Sequence, residues 1–156
     1  MNPAKREANS MKLYTIGFTQ KSAQDFFTRL RAGGVQQLID IRINPHGQLS
    51  GFARKEDLPY FLHELADQCR YLYLPVLAPT KEILKDYRAN GDWPGYVARF
   101  EALMDERNVP TILDRSTFES LLSCLLCSED SPQQCHRRLV AERLAKQWLD
   151  LEVIHL

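Results

Sequence analysis

The most apolar stretch of the chain, SLLSCLLCSE at residues 120–129, constrains the fold more than any other segment. It is short and is followed by polar turn residues, which is typical of a strand that is buried on both faces. Such strands belong to parallel sheets that helices cover on both sides. The stretch therefore predicts the central strand of an α/β domain.

Strand-like and helix-like patterns alternate along the rest of the chain. The predicted strands are 12–17, 35–42, 70–75, 120–129 and 152–156, the last at an edge of the sheet. The predicted helices are about 22–32, 55–69, 80–90, 95–107 and 131–149, with Ser131 as the N-cap of the last one. Residues 110–119 fit neither pattern.

The alternation predicts a single three-layer α/β domain over residues 12–156. We expect a mostly parallel sheet of about five strands, with helices on both faces and right-handed crossovers between strands. Residues 1–11 are expected to form a flexible extension before this domain.

Composition narrows the class of protein. A chain of 156 residues can bury one core without disulfides or a structural metal. Its hydrophobic content of 44% and its charged content of 26% exclude a disordered protein. The formal net charge of zero excludes the global positive field that drives non-specific binding to nucleic acid.

The polar start MNPAKREANS does not match a signal peptide, and the chain has no apolar run long enough to span a bilayer. These features predict a cytoplasmic location with no membrane contact. In that compartment the four cysteines are expected to be reduced thiols rather than disulfides.

Six candidate site residues, most of them polar, lie at the carboxyl ends of three predicted strands. They are Gly17, Thr19, Asp40, Arg42, Cys127 and Glu129. Because ligands of open α/β sheets bind outside the carboxyl ends of the strands, we expect these residues to share one binding edge. The last helix adds Cys135, His136 and Arg137 near its start, together with its partial positive charge.

Arginines at this edge predict an anion site, because Arg42 and Arg137 would lie near the N-terminus of the last helix. The alternative is that Asp40 pairs with one of them as a structural ion pair. The irregular segment after Arg42 is long for a compact domain, which favours a binding loop over a plain surface loop. Its basic side chains are His46, Arg54 and Lys55.

Four zinc-capable residues lie close together in the sequence, namely Cys124, Cys127, Cys135 and His136. Residues three apart on a strand point to opposite faces, and Cys135 and His136 would diverge by about 100° on a helix. Four such ligands do not converge on one tetrahedral ion, so the spacing argues against a metal site.

Covalent catalysis by Cys135 is a separate hypothesis, because a helix N-terminus and basic neighbours lower the pKa of a thiol. The alternative is inert packing, since free cysteine is among the most buried residue types. The spacing of the cysteine phosphatase loop does not occur after Cys127 or Cys135. Glu129 is a rival catalytic group, because a carboxylate at a strand end facing His136 can transfer protons.

Two ligand classes lack motif support. The single glycine of TIGFTQ matches neither the dinucleotide fingerprint nor a Walker loop. The aromatic residues form no recognisable platform for stacking nucleic-acid bases.

Four motifs occur in the order TIGFTQKSAQDFF, LIDIR, GFARKEDL and LLCSEDSPQQCHRRLVAERL. Together they resemble the family catalogued as domain of unknown function 488. The resemblance covers most of the chain from about Lys12 onward, and Cys-x-Glu followed by Cys-His-Arg is its most specific part. It implies a bacterial or archaeal α/β domain with a pocket at the matching positions, and it implies no reaction. Family members often have His-Ser after the first glycine, where this chain has Phe18-Thr19, and the segment PTILDRSTFES is outside the pattern.

Together these observations favour a small cytoplasmic enzyme that acts on an anionic, phosphate-bearing substrate such as a nucleotide or a nucleic-acid end. Arg42 and Arg137 would hold the anion. Glu129 and His136 would transfer protons, while Asp40 would orient Arg42 or His136. One alternative is a nucleotide-binding or protein-interaction module without catalysis. Another is a single buried ion network of Asp40, Arg42, Glu129 and Arg137 that binds no ligand.

Overall fold

The computed structural model describes residues 10–46 and 51–156, which are organised around one sheet of five strands. The strands are β1 (Met11–Gly17), β2 (Gln37–Asp40), β3 (Arg70–Tyr73), β4 (Ser123–Cys127) and β5 (Leu151–His155). Their order is β3-β2-β4-β1-β5, and every neighbouring pair is parallel. The predicted parallel α/β sheet is confirmed, as are the central position of β4 and the edge position of β5.

Helices cover both faces of this sheet, as predicted. They are α1 (Ala23–Ala32), α2 (Leu58–Leu65), α3 (Lys81–Asn90), α4 (Trp93–Glu106), α5 (Arg115–Glu119) and α6 (His136–Gln147). The first two pack on one face, and the other four pack on the opposite face. Short 3-10 turns occur at Gly51–Ala53 and Pro75–Leu77.

The side-chain alternation of β4 explains why the sheet has a core on each side. Leu125 packs with α4 and α6, whereas Cys124 and Leu126 pack with α1 and α2. All five residues of β4 are buried, because both faces of the strand are covered. A continuous apolar run is therefore the pattern that this position requires.

The start of α6 differs from the prediction. Ser131 is not the N-cap, because the helix begins at His136 and Cys135 occupies the cap position in an extended conformation. The preceding residues 128–135 form turns. Two of their carbonyl groups accept hydrogen bonds from the buried Arg137 guanidinium, which helical continuation of that segment would not provide.

Other element bounds are narrower than the sequence patterns suggest. The predicted strand 35–42 is regular only over β2, and the predicted helix 55–69 only over α2. Residues 110–119, left unassigned from the sequence, contain α5. The predicted extension falls mostly on residues 1–9, and part of the predicted binding loop falls on residues 47–50; both lie outside the described residues. Across residues 10–46 and 51–156, no helix has the length and apolarity needed to cross a bilayer.

Candidate functional site

Three neighbouring strands bring the predicted polar residues to one edge of the sheet. Gly17 at the end of β1 is in register with Cys127 at the end of β4, and Asp40 at the end of β2 is in register with Leu126. The predicted collection of polar residues at the carboxyl edge is therefore confirmed. Within this edge, three separate groups of side chains can be distinguished by what they contact.

The first group is a buried ion pair between Asp40 and Arg42. The Arg42 guanidinium donates from Nε to Oδ1 of Asp40 at 2.9 Å and from Nη2 to Oδ2 at 2.8 Å. The backbone N–H of Arg42 also donates to Oδ1, and Nη2 donates to the carbonyl of Ala53 at 2.6 Å. Both side chains are buried, so the predicted pairing of Asp40 with one of the arginines is confirmed.

Two aromatic residues complete this ion pair, and sequence reasoning missed the role of both. The Tyr71 hydroxyl, on the adjacent strand β3, donates to Oδ2 of Asp40 at 2.6 Å. Burial and this hydrogen bond raise the pKa of Tyr71 well above its ordinary value. The Phe18 ring lies 5.2 Å from the Arg42 guanidinium carbon, a cation–π contact. Phe18 therefore packs against Arg42, at the position where members of the family that the sequence resembles often have histidine.

The second group surrounds Arg137, which is the largest fully buried side chain among the residues that the structure describes. Its Nε donates to the Thr15 hydroxyl at 3.2 Å, and its two terminal nitrogens donate to the carbonyls of Glu129 and Asp130. Its partners in the described chain are thus neutral oxygens rather than carboxylates. The guanidinium is the charged centre around which residues 128–135 turn.

Gly17 and Thr19 hold the same segment against β1. A Cβ at Gly17 would overlap the Glu129 carbonyl and would lie 2.6 Å from Nη1 of Arg137. Thr19 donates to the Ser128 carbonyl from its backbone N–H at 3.1 Å and from its hydroxyl at 2.7 Å. These contacts give both residues a structural role, while substrate binding by them stays a prediction.

The third group is a cysteine–histidine pair formed by Cys127 and His136. Sγ of Cys127 lies 3.3 Å from Nδ1 of His136, and Nε2 of His136 lies 2.8 Å from the Ile41 carbonyl. A carbonyl only accepts, so Nε2 must carry the proton and donate it. In the neutral imidazole, Nδ1 is then a free acceptor that faces the thiol.

Cys135 completes this group and sets which thiol is acidic. Burial raises the pKa of the Cys127 thiol, but hydrogen bonds from Cys135 and the Ser128 N–H, with the charge of Arg137, bring it below the ordinary value. Cys135 has the opposite shift, because its hydrogen bond to Cys127 and its burial raise its pKa well above the ordinary value. The prediction that the surroundings lower the pKa of Cys135 is wrong.

These three residues also bear on the metal prediction. Sγ of Cys127, Sγ of Cys135 and a ring nitrogen of His136 all lie within 4.8 Å of one another. Cys124 packs in the other core, so its predicted opposite orientation is confirmed. The predicted divergence of Cys135 and His136 is wrong, because Cys135 is an extended N-cap residue and the helical angle does not apply to it.

Glu129 does not take the position expected of it. Its side chain is exposed, and the two ring nitrogens of His136 contact Cys127 and Ile41 instead. Arg137 binds the carbonyl of Glu129 and not its carboxylate, so the hypothesis of one ion network through all four residues is also wrong. A catalytic role for Glu129 stays a prediction that this geometry does not favour.

A groove of about 590 Å³ lies between the segment that follows β2 and helix α3. It is lined by Ile43, Asn44, His46, Lys81, Leu84, Lys85 and Arg88. The three basic residues of α3 follow a helical spacing and share one face of the helix. Two chain segments connect the groove to the third group. Ile43 lies two residues after Ile41, whose carbonyl contacts His136. The Tyr87 hydroxyl of α3 donates to the side chain of Gln134, the residue before Cys135, at 3.1 Å.

The other predicted basic residues have partners of their own. His46 contacts Glu56, and Arg54 lies 3.9 Å from the carboxylates of Glu56 and Asp57. The Lys55 ammonium lies 4.2 Å from the centre of the Tyr73 ring. Within residues 10–46 and 51–156, by contrast, the basic side chains of α3 that line the groove make no ion pair with a carboxylate.

A comparison with protein families decides the classification. The family model described as domain of unknown function DUF488 matches residues 22–144. The chain belongs to the DUF488 family. The match begins after Gly17 and Thr19 but includes β2, β4 and the start of α6. No curated protein and no solved structure matches the chain significantly.

Membership in the DUF488 family assigns no reaction to the site. The matched residues contain two of the three groups in full, the Asp40–Arg42 pair and the Cys127–Cys135–His136 cluster. The basic groove residues of α3 lie within the match as well. Function must therefore be argued from the chemistry of these groups.

Proposed function

We propose that this DUF488 protein is a small enzyme that acts on an anionic, phosphate-bearing substrate and uses Cys127 and His136 as its reacting pair. The contact of 3.3 Å between Sγ of Cys127 and Nδ1 of His136 is the observation that carries the proposal. A thiol beside an oriented imidazole is the arrangement used for nucleophilic catalysis. The Ile41 carbonyl supplies the third, orienting group.

The chemistry follows from the protonation states that the contacts allow. Nδ1 of His136 takes the thiol proton of Cys127, and the resulting thiolate attacks an electrophilic centre of the substrate. As the bond to the leaving group breaks, the imidazolium returns that proton to the leaving group. Water then cleaves the covalent intermediate, with His136 removing one proton from the water and Cys127 recovering it as a thiol.

The substrate class is supported by the groove between α3 and the segment that follows β2. Lys81, Lys85 and Arg88 give it a positive lining, and its volume of about 590 Å³ fits a small ligand. One wall of the groove is the segment that follows the carboxyl end of β2, and ligands of α/β proteins bind outside the carboxyl ends of strands. Arg42 and Arg137 would each have to exchange a protein partner for the anion, so the lining of the groove is the better first contact.

The proposal can be tested with a panel of nucleotides, sugar phosphates and short oligonucleotides, with products detected by mass spectrometry. We expect turnover by the wild type and by Cys124→Ala, a control from the same strand whose side chain lies in the other core. Cys127→Ser and His136→Gln should reduce the rate by about a hundredfold or more. Lys85→Ala combined with Arg88→Ala should raise KM more than it lowers kcat.

Equal product formation by wild type and Cys127→Ser would contradict the proposal. A non-catalytic nucleotide-binding or protein-interaction module is the second hypothesis, and the groove alone supports it. That module would give ligand-dependent thermal stabilisation of the wild type, no product with any substrate, and no change in binding on Cys127→Ser.

A further inference from the structure

We propose that Cys127, Cys135 and His136 form a binding site for a thiophilic divalent cation of the zinc class. The site itself rests on geometry alone. Its consequence for activity, which is inhibition of the reacting pair, rests on the proposed function.

The ligand atoms have the chemistry and spacing that such an ion requires. Zinc binds thiolate sulfur at about 2.3 Å and imidazole nitrogen at about 2.0–2.1 Å, so tetrahedral ligand atoms lie about 3.5–3.8 Å apart. In the protein, Cys127 Sγ and His136 Nδ1 are 3.3 Å apart, and all three ligand atoms lie within 4.8 Å of one another. Small rotations of side chains are sufficient to place an ion between them.

The orientation of His136 is a second and independent observation. A metal-binding histidine usually donates its other ring N–H to a carbonyl or carboxylate, which fixes the tautomer and the ring plane. His136 makes this contact with the Ile41 carbonyl at 2.8 Å. Its remaining nitrogen, Nδ1, therefore faces Cys127 Sγ without a proton of its own, and Cys135 Sγ lies within 4.8 Å of the same group.

The charges around the cluster fit a bound divalent ion. Two thiolates, one neutral imidazole and one divalent cation give a complex with no net charge. A site with no net charge adds no positive charge to the buried edge that already holds the Arg137 guanidinium. Three protein ligands are described, so the fourth position is left for water or an exogenous ligand.

Metal binding and nucleophilic attack use the same atoms and therefore exclude one another. The ion binds the lone pairs of Cys127 Sγ and His136 Nδ1. In the proposed reaction, Nδ1 needs its lone pair to accept the thiol proton, and Sγ needs its lone pair to attack the substrate. We expect one equivalent of Zn²⁺ to suppress alkylation of Cys127 by iodoacetamide and to inhibit turnover. A chelator should restore both.

The test is a titration of the reduced, metal-free full chain with Co²⁺ under anaerobic conditions, followed by displacement with Zn²⁺. We expect thiolate-to-cobalt charge-transfer bands that saturate at one ion per chain. Cys124→Ala should bind like the wild type, whereas Cys127→Ala, Cys135→Ala and His136→Gln should lose affinity by about a hundredfold or more. Circular dichroism shows whether each variant is folded.

Absence of charge-transfer bands in the wild type would overturn the metal site, and so would equal weakening by Cys124→Ala and Cys127→Ala. Peptide mapping of alkylated wild type, with and without Zn²⁺, repeats the test without any variant. If Zn²⁺ fails to bind while turnover still depends on Cys127, the metal site fails and the proposed function stands. If Zn²⁺ binds and protects Cys127 while no substrate turns over, the metal site stands and the proposed function fails.

Discussion

Two buried polar groups lie at the carboxyl ends of adjacent strands, and their hydrogen bonds are satisfied in different ways. The carboxylate of Asp40 accepts from the backbone and guanidinium of Arg42 and from the Tyr71 hydroxyl. The thiol of Cys127, by contrast, has sulfur and imidazole neighbours that can each give up or take a proton.

Under the proposed function, the difference separates a structural group from a reactive one. Charge-assisted hydrogen bonds with fixed geometry stabilise one arrangement of Asp40 and Arg42, and exchanging any of them for a ligand has a high cost. Sulfur makes weak hydrogen bonds, so the Cys127 cluster can accept a substrate atom or a metal ion in their place. Buried polar residues at one sheet edge therefore need not share one role.

The largest effect should come from breaking the ion pair. Asp40→Ala leaves the Arg42 guanidinium buried without its counter-charge, and we expect a loss of about 3–5 kcal/mol in the free energy of unfolding. Urea unfolding measures it, with Asp40→Asn separating loss of charge from loss of volume. A loss of less than about 1 kcal/mol in the free energy of unfolding would mean that the pair is not structural. The Asp40 and Cys127 groups would then not differ in the way described above.

Gly17→Ala should have the next largest effect, because its methyl group would overlap the Glu129 carbonyl beside Arg137. We expect a loss near the upper end of the range for overpacking, about 3 kcal/mol. Gly51→Ala is a control, since a Cβ there would meet no atom of residues 10–46 and 51–156 within 4 Å. Equal stability of the two variants in thermal unfolding would show that the 128–135 segment can move away from β1.

Tyr71→Phe sharpens the comparison by removing one hydrogen bond from the carboxylate of Asp40. Bonds to charged groups contribute about 1.5–3 kcal/mol, so we expect a loss of about 1.5–2 kcal/mol with the fold retained. Tyr60→Phe on the exposed surface of α2 serves as the control. A neutral result at Tyr71 would imply that water replaces the hydroxyl.

Cys127→Ser should have the smallest effect on stability and the largest on chemistry. The hydroxyl keeps a hydrogen-bonding partner for His136, so we expect a loss of about 1 kcal/mol or less in unfolding free energy. Unfolding and turnover measured on the same preparation test this separation. A loss comparable to that of Asp40→Ala would place Cys127 among the structural residues and would count against the proposed function.

Sequence patterns predicted the sheet, the two helical layers and the edge at which polar residues collect. They succeeded because burial on both faces of β4 imposes a continuous apolar run, and because parallel strands end at the same edge. The patterns failed at residues 128–135. Ser131 and Pro132 match a local capping preference, but the need of Arg137 for buried acceptors overrides it.

The roles of individual site residues were harder to predict than their location. The spacing of Cys135 and His136 suggested divergence, because a helical angle was applied to a residue that is an extended cap. Tyr71 carried no local signal, since its role depends on β3 pairing with β2. The basic residues of α3 did carry one, because Lys81, Lys85 and Arg88 repeat with helical spacing.

The sequence by itself determined the α/β class, the membership in the DUF488 family and the set of polar residues at the carboxyl edge. Those properties follow from hydrophobic periodicity and from motifs that are local in the chain. Only the tertiary structure decided which of these residues contact one another, because hydrogen bonding depends on distances of a few ångströms between distant segments. In the folded chain, Arg42 pairs with Asp40, and Arg137 donates to backbone carbonyls. Cys127 Sγ faces Nδ1 of His136.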